Sequence, residues 1–245
     1  MNDKQIEIER YDKRAQQIIN PKKYHKKNLE YLNIPYEFYY SLFKKLKTKE
    51  NLLEIGAGQG ENTLRLIEMK FNVCATDISC KSVVVMKKRF FKYKNFSSKV
   101  ADMEKLPFRN NNFDIICGAG SLSYGDNSLV MTEIYRVLKP GGTVIIVDSL
   151  NNNLIYRFNR YLHYYKGNRT KSTLKRVPDI NLINKYIKKF GHGKTWFFGS
   201  ITWAFPLLKI VLSEKMITNF SNWIDNKFNV RKSAFKFVLI LNKNK

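Results

Sequence analysis

The sequence contains few cysteines and no signal-like segment at its start. Its three cysteines, Cys74, Cys80 and Cys117, show no CxxC spacing among 245 residues, which argues against both a disulfide framework and a zinc site. Residues 1–14 are charged throughout and contain no apolar run, so we expect no secretory signal. These absences predict a chain that holds no metal and works in a reducing, cytoplasmic compartment.

Long apolar runs are also absent. The most apolar stretch, residues 196–212, is interrupted by Ser200, Pro206 and Lys209, and it falls short of the roughly 18 continuous apolar residues that a membrane-spanning helix needs. Hydrophobic residues nevertheless make up 44% of the chain and aromatic residues 14%, which suffices for an ordinary core and argues against general disorder. The length predicts a single domain, with or without a large insertion.

Acidic residues are scarce relative to basic ones: 20 Asp and Glu face 44 Lys and Arg, which gives a formal net charge of +24. Such a charge attracts anionic partners, and nucleic acid, phosphorylated metabolites and an acidic membrane surface all qualify. A Lys- and Asn-rich composition bias is the alternative explanation. Residues 151–195 hold eleven basic residues and one acid, whereas residues 51–150 carry a net charge of only +3, so the excess is densest in one segment.

The middle of the chain, residues 51–149, alternates short apolar runs with amphipathic or turn-rich segments, as repeated beta-alpha units do. The predicted strands are 51–55, 72–76, 98–101, 113–117 and 143–148, and the predicted helices between them are 61–69, 81–93 and 128–138. Residues 139–142, Lys-Pro-Gly-Gly, should end the third of these helices and turn the chain into the fifth strand. Right-handed crossovers then favour a doubly wound, mostly parallel sheet of the α/β class.

The flanking segments have a different pattern. Residues 1–50 are expected to form two or three helices, with breaks at Pro21 and Pro35 and the clearest amphipathic segment at 37–46, and to cover the sheet edge or the site. Residues 151–195 are interpreted as a basic helical insertion after the fifth strand. A strand near 195–198, a helix at about 206–219 and a buried last strand at 235–241 are predicted beyond it.

A glycine-rich segment, Gly56-Ala57-Gly58-Gln59-Gly60, stands where the first strand should end and the first helix begin. Glycine lets the backbone turn sharply there and approach a ligand, and the N–H groups at a helix start favour an anionic ligand group. Asp77 ends the second predicted strand, where a carboxylate can bind both hydroxyls of a ribose. A nicotinamide dinucleotide fold shares these features, but its GxGxxG fingerprint needs a small residue where Glu61 stands.

Together with these residues, later motifs give the sequence a strong resemblance to the class I S-adenosylmethionine-dependent methyltransferases. The first motif of that family reads much like residues 53–60, and the others match Val100-Ala101-Asp102-Met103, Phe113-Asp114-Ile115-Ile116 and Leu138-Lys139-Pro140-Gly141-Gly142. The resemblance implies a Rossmann-like seven-stranded sheet in one domain over residues 1–245. Within it, residues 1–50 would be a helical cap, 51–150 the cofactor core, 151–195 an acceptor-covering insertion and 196–245 the end of the sheet.

The resemblance also implies which residues hold S-adenosyl-L-methionine. The residues that would border its methionine part are Gly56, Ala57, Gly58 and Gly60. Those that would contact the ribose, the adenine or the sulfonium are Asp77, Ile78, Asp102, Met103 and Ala119. Glu54 would support the site from behind the glycines or merely satisfy loop N–H groups. Tyr11 resembles an N-terminal aromatic residue that closes over the cofactor, and simple packing is its alternative role.

An oxygen acceptor must lose a proton during methyl transfer, and a positioned base helps to remove it. The two candidate bases are His163, in the insertion, and Asp148, at the carboxyl end of the fifth strand. Helical spacing would place Tyr156, Arg160 and His163 on one face, although His163 could equally be an ordinary surface residue. His192, between two glycines, is expected in a turn.

The acceptor class is less well defined by the sequence. After the fourth strand the chain lacks the Asn/Asp-Pro-Pro-aromatic signature of nucleic-acid amino methyltransferases. Residues 149–178 are similar to methyltransferases encoded among bacterial surface-polysaccharide genes, which implies a small anionic acceptor such as a sugar nucleotide or polysaccharide precursor. Candidate acceptor-binding residues are Tyr124, Arg157, Arg160, Arg169 and Lys171.

Three alternatives stay open at this point. An RNA methyltransferase is suggested by the charge, and a non-catalytic, cofactor-binding accessory subunit would use its basic face to dock a partner. A methyltransferase for a lipid-linked acceptor, peripheral to the inner face of the membrane, is suggested by the Trp, Phe and Leu residues that stand beside basic residues in 196–212. The sequence does not predict the oligomeric state.

Overall fold

The computed structural model describes residues 3–18, 30–167, 169–228 and 230–245. Within these described ranges, two helices precede the sheet, α1 (Asp3–Ile18) and α2 (Glu30–Phe43). The predicted break at Pro35 is wrong, because Pro35 lies inside α2. The aromatic side chains of Tyr39 and Phe43 are fully buried in the core, and this burial holds the helix despite the lost backbone hydrogen bond. The predicted break at Pro21 lies outside the described residues.

Seven strands form one sheet. They are β1 (Asn51–Ile55), β2 (Asn72–Asp77), β3 (Phe96–Val100), β4 (Phe113–Ala119), β5 (Leu138–Ser149), β6 (Gly191–Phe198) and β7 (Lys236–Lys243). Their order is β3-β2-β1-β4-β5-β7-β6, with β1 to β5 parallel and β7 antiparallel to both of its neighbours. The predicted doubly wound, mostly parallel α/β sheet is therefore confirmed.

Helices cover both faces of the sheet. They are α3 (Thr63–Glu68), α4 (Cys80–Arg89), α5 (Asn127–Val137), α6 (Leu154–Tyr165), α7 (Lys171–Lys175), α8 (Ile180–Phe190), α9 (Phe205–Leu208) and α10 (Glu214–Phe228). One apolar cluster joins the sheet to α5 and α8, and a second joins the opposite face to α2, α3 and α4. The inner strands β1, β4 and β5 are mostly buried between the helical layers, which explains their largely apolar sequences, whereas β3 and β6 are more exposed.

The basic insertion does not behave as one unit. Its last helix, α8, buries Ile183, Tyr186 and Phe190 in the core beside α5, so this part supports the sheet instead of covering an acceptor. His192 was expected in a turn, but it lies in β6, where it pairs with Asn242. The predicted helix at 206–219 is also wrong, because α9 and α10 are separate helices with residues 209–213 between them.

The run Lys139-Pro140-Gly141-Gly142 was expected to precede the fifth strand, but it lies within β5. Its pairing with β4 shifts between Leu138 and Thr143, and Gly141 has a φ of 74°. A proline without an N–H and a left-handed glycine cannot continue a regular ladder, so the run forms a local irregularity there.

The strand ends define where a site can form. Because β1, β2, β4 and β5 are parallel, their carboxyl ends lie at one edge of the sheet, which we call the C-terminal edge. Antiparallel pairing of β7 places Lys236 opposite Ser149, so the start of β7 lies at this edge too. Among the described helices, none is long and apolar enough to cross a membrane.

Candidate functional site

A cavity of about 790 Å³ lies at the C-terminal edge, between the strand ends and helices α1 and α2. Twelve of the predicted site residues line it: Tyr11, Gly56, Ala57, Gly58, Asp77, Ile78, Asp102, Met103, Ala119, Tyr124, Asp148 and Arg169. The structure thus brings together residues from the ends of the five parallel strands and the loops after them, from α1 and from the segment before α7. This is the crevice in which open α/β sheets bind ligands.

The glycine-rich loop is shaped by close backbone approaches. Gly56 has a φ of 60°, and a Cβ atom there would lie 2.6 Å from the Cβ of Ser121. Gly60 has a φ of 83°, and its Cβ would lie 2.5 Å from the ring of Phe90. Both positions therefore require glycine. Gly60 does not line the cavity but fixes the turn behind it, where its N–H donates to the Ala57 carbonyl at 3.0 Å.

Asp77 is held in place by the backbone of two loops. Its Oδ2 accepts from the N–H of Gly58 at 2.8 Å, and its Oδ1 accepts from the N–H of Ser79 at 2.9 Å. The side chain is buried, and burial raises the pKa of Asp77 above its ordinary value although both N–H groups oppose this. Each oxygen retains a lone pair for a further donor, so the carboxylate can accept from a vicinal diol.

Residues that follow β3 line the part of the cavity where the adenine is predicted to bind. Asp102 Oδ1 accepts from the N–H of Glu104 at 3.0 Å, and Asp102 Oδ2 accepts from the ammonium of Lys4 at 2.5 Å. Lys4 also contacts Glu104 at 2.7 Å. The predicted adenine contacts Ile78 and Met103 lie in the same lining. The ion pairs anchor the start of α1 over this part of the cavity.

Helix α1 covers the cavity through further contacts. The ring of Tyr11 meets that of Tyr124 edge-on, with centroids 5.5 Å apart, and Ser79 Oγ donates to Asp12 at 2.5 Å. Burial raises the pKa of the Tyr11 hydroxyl well above its usual range. At its other side α1 meets α7, where Thr170 donates to the buried carboxylate of Glu7 at 3.2 Å. The helix therefore links the cofactor loops to the insertion.

The acceptor side contains a buried carboxylate and a buried amine. Asp148 accepts from the N–H of Leu122 at 2.9 Å and from that of Ser149 at 2.6 Å. Burial raises the pKa of Asp148, and the nearby charge of Lys236 partly opposes the rise. Lys236 is 9% exposed, and its ammonium lies 3.4 Å from the hydroxyl of Tyr36 and 5.0 Å from that ring's centroid.

Sequence reasoning missed several cavity residues, above all Lys236, Tyr36 and Phe235. Lys236 carried a usable signal, because it is a lone cation at the start of an apolar terminal run. Tyr36 carried no such signal. Its position depends on how α2 packs against the sheet, which the local sequence does not reveal.

Several predicted acceptor residues do not line the cavity. His163, Arg157 and Lys171 are exposed, the first two on α6 and the third at the start of α7. Tyr156 and Arg160 share a buried face of α6, but His163 does not join them. The structure therefore offers no support for His163 as the base, and of the two candidates only Asp148 lies at the cavity.

Arg160 was predicted to bind the acceptor, but in the structure it contacts the loop that follows β5. Its guanidinium donates to the Leu150 carbonyl at 2.9 Å and to the Asn151 side chain at 3.2 Å, behind the loop that follows β5. Burial, with repulsion from Arg169, lowers the pKa of Arg160 to about 10. These contacts indicate that Arg160 supports the loop.

The loop role of Arg160 predicts a loss of stability in Arg160→Met. The Leu150 carbonyl would lose its charged donor, which costs about 1–3 kcal/mol and lowers the melting temperature by several degrees. Arg157→Met, on the exposed face of the same helix, is the matched control and should melt as the wild type does. Thermal unfolding measures both, and equal melting temperatures for the two variants would contradict the role.

Glu54 lies behind the glycine loop and does not line the cavity. Its Oε2 accepts from the hydroxyl of Thr63 at 2.6 Å, and complete burial raises the pKa of Glu54 to about 7. The folded protein therefore keeps a proton on this carboxyl where the unfolded chain, with a pKa near 4.5, has lost it. It follows that the free energy of unfolding falls as the pH rises from the lower value to the higher.

We expect this fall to reach about 3 kcal/mol and to be absent in Glu54→Gln, whose amide has no proton to lose. Urea unfolding of both proteins at about pH 5 and about pH 8 measures the difference. Glu68→Gln, on the exposed side of α3, is the control and should keep the wild-type profile. The interpretation fails if Glu54→Gln and the wild type lose stability in parallel.

Two further polar groups bear on what the cavity holds. The side-chain amide of Gln59 and the hydroxyl of Ser121 are buried without a hydrogen-bond partner among the described residues, and both residues line the cavity. Buried polar atoms are rarely left unpaired, so the Gln59 amide and the Ser121 hydroxyl are suited to hydrogen-bond a ligand. Together with the glycine cradle and the Asp77 carboxylate, they fit a ligand with an amino acid end and a ribose. Among the described residues there is no cluster of metal ligands.

Comparison with known proteins agrees with this geometry. Residues 53–146 match the family model described as a methyltransferase domain. The UbiE ubiquinone/menaquinone biosynthesis C-methyltransferase of Coxiella burnetii is 32% identical over 111 residues, which cover 42% of this chain and 44% of that protein. The demethylmenaquinone methyltransferase of Chlorobaculum parvum is 26% identical, with coverage of 60% and 67%.

Among solved structures, phosphoethanolamine N-methyltransferase 2 of Haemonchus contortus, in complex with phosphomonomethylethanolamine and S-adenosylhomocysteine, superposes with a TM-score of 0.61. The identity is 20%, and the match covers 85% of this chain and 52% of that one. The fold is thus that of Rossmann-like methyltransferases. Residues 53–146 resemble a methyltransferase domain, and the superposed structure contains S-adenosylhomocysteine. The match spans about 44% of the length of the UbiE relatives.

Proposed function

We propose that the protein transfers the methyl group of S-adenosylmethionine to a small anionic acceptor. The observation that carries this proposal is the placement of buried Lys236 beside the buried carboxylate of Asp148 at the acceptor side of the cavity. A buried cation that faces a cavity suits an anionic group of a ligand, because charge-assisted hydrogen bonds offset its desolvation.

In the cofactor half of the cavity, different residues would bind the ribose, the methionine end and the adenine. Asp77 would accept from the ribose hydroxyls, and Gln59 and Ser121 would pair with the polar methionine end. Asp102 would accept from the adenine amino group while it keeps its contact with Lys4. S-adenosylmethionine supplies a methyl group activated by a sulfonium, so the protein needs no covalent intermediate of its own.

The acceptor half has two tasks, orientation and proton removal. Lys236 and Arg169, both in the cavity lining, would hold the anionic group and leave the nucleophilic atom in line with the methyl carbon. Asp148 would accept the proton of an oxygen nucleophile. The backbone N–H groups of Leu122 and Ser149 fix its carboxylate, so that the base is oriented before the acceptor binds.

We further propose that the methylated atom is an oxygen, of hydroxyl or phosphate type, in a sugar nucleotide or surface-polysaccharide precursor. The support is the resemblance expected from the sequence of residues 149–178, together with the two cations Lys236 and Arg169 in the cavity lining. The Haemonchus contortus structure contains a phosphate-bearing acceptor, which is compatible with an anionic acceptor on this fold. The quinone methyltransferases show that the same domain also serves other acceptors.

Each alternative function predicts a different labelled product in one experiment. The chain is incubated with methyl-tritiated S-adenosylmethionine and a cell extract, and the products are separated by anion exchange with and without ribonuclease. We expect label in small, ribonuclease-resistant anionic species. Label in a ribonuclease-sensitive polymer would identify an RNA methyltransferase, and label extracted into organic solvent a lipid-linked acceptor. No transfer by the folded chain would favour an accessory subunit.

A further inference from the structure

Helix α6 presents an apolar face to solvent. Its buried face consists of Tyr156 and Arg160, whereas the side chain of Phe158 is 66% exposed. Other large apolar side chains recur at helical spacing on the exposed side: Leu154, Leu162 and Tyr165. Isolated exposed apolar residues are ordinary on protein surfaces, but a continuous helical stripe of them is not.

A second exposed apolar surface follows β6. Ile210 and Val211, just after α9, are 79% and 84% exposed. On α10, Ile217 and Ser221 face the protein, while Phe220 and Trp223 stack in the open with centroids 6.0 Å apart. The residues from α9 to α10 therefore expose large aliphatic and aromatic groups together.

Both surfaces belong to one corner of the molecule. The hydroxyl of Tyr156 on α6 donates to the Gly199 carbonyl at 3.1 Å, and Asp225 on α10 accepts from the N–H of Gly199 at 2.6 Å. The loop that begins at Gly199 follows β6, and Phe198 at the end of β6 pairs with Lys236. The two exposed surfaces thus flank the C-terminal edge, where the cavity opens.

Basic side chains surround the exposed apolar residues. Exposed cations on these segments include Arg157, Lys166, Lys209, Lys215, Lys227 and Arg231. The ammonium of Lys227 lies 4.9 Å from the ring centroid of Trp223. Residues 196–245 contain eight basic residues and only two acids. Aromatic and aliphatic groups beside lysines complement the interface of a membrane that contains anionic lipids.

We infer that this corner, defined by the exposed faces of α6 and of residues 205–228, docks the protein on an anionic membrane surface. A second copy of the chain fits less well, because a symmetric contact would bring the same cations together. RNA would use the cations but leave the aliphatic groups in water. The inference goes beyond the proposed function and does not depend on it, since docking can be measured without methyl transfer.

Vesicle flotation tests the inference with the full chain. The vesicles contain equal parts of phosphatidylglycerol and phosphatidylcholine, or phosphatidylcholine alone. We expect the wild type to float with the anionic vesicles only, and less so at high salt, where charges are screened. The double substitution Ile210→Ser and Val211→Ser should weaken binding at least about tenfold, because exposed apolar groups would no longer enter the interface. Trp223→Ser tests α10 separately.

Phe91→Ser is the matched control, because Phe91 is 74% exposed but follows α4 at the opposite edge of the sheet. It should bind vesicles as the wild type does, and circular dichroism should show all variants folded. The inference is overturned if the wild type does not float, if it floats equally with pure phosphatidylcholine, or if Phe91→Ser matches the loss at Ile210 and Val211. It is also overturned if the wild type forms a dimer that the substitutions at Ile210 and Val211 disrupt, and does not float with vesicles.

Discussion

Replacing Asp77 by alanine should weaken the binding of S-adenosylmethionine by at least about 100-fold while the chain stays folded. The carboxylate lines the cavity and retains lone pairs on both oxygens. Two charge-assisted hydrogen bonds to the ribose would be lost, each of which contributes about 1.5–3 kcal/mol. Isothermal titration calorimetry measures the change directly.

The control for Asp77 must separate ligand binding from loop support. Asp126 is also a carboxylate that accepts from two backbone N–H groups, those of Ser128 and Leu129, but it lies at the start of α5 and does not line the cavity. Asp126→Ala should therefore lower stability by about 1 kcal/mol and leave cofactor affinity unchanged. Equal affinities for Asp77→Ala and the wild type would refute the ribose role.

Replacing Asp148 by asparagine should lower turnover by about 100- to 1,000-fold and change cofactor affinity little. The substitution keeps the size of the side chain and an oxygen that can accept from the Leu122 N–H, but it removes the base. Steady-state rates with the acceptor fraction, together with calorimetry for the cofactor, separate the two effects. A turnover close to that of the wild type would exclude Asp148 as the base.

The pH dependence of the rate provides an independent readout of the same residue. Burial raises the pKa of Asp148, and only its deprotonated form can accept a proton. Turnover should therefore fall as the pH drops through this raised pKa and reach a plateau above it. The acidic limb should disappear in Asp148→Asn. If the limb persists in the variant, another group must titrate.

The core of the fold was predictable because it follows from local signals. Each of the five parallel strands was predicted within a few residues, except that β5 begins at Leu138, earlier than the predicted 143. Short apolar runs between turn-forming residues determine strands that are buried on both faces, so sequence patterns suffice there. The carboxyl ends of such strands converge by topology alone, which is why Asp77 and Asp148 were identified as site residues.

The acceptor side was much less predictable. Lys236 reaches the cavity because β7 runs antiparallel beside β5, a long-range pairing that no local pattern reveals. Conversely, Arg160 and His163 lie on one helix three residues apart, yet one is buried behind a loop and the other is exposed. Tertiary packing determines which face of a helix is buried. The positions of Arg160 and His163 in the sequence do not indicate which of the two side chains faces the protein.

In the proposed complex the cofactor lies in the cavity with its reactive end toward Asp148 and Lys236. A crystal structure of the protein with S-adenosylhomocysteine tests this most directly. We predict ribose hydroxyls within about 3.2 Å of the Asp77 carboxylate and the sulfur atom on the side of Ala119 and Asp148. The account is contradicted if the ligand binds elsewhere, or if its sulfur faces away from these residues.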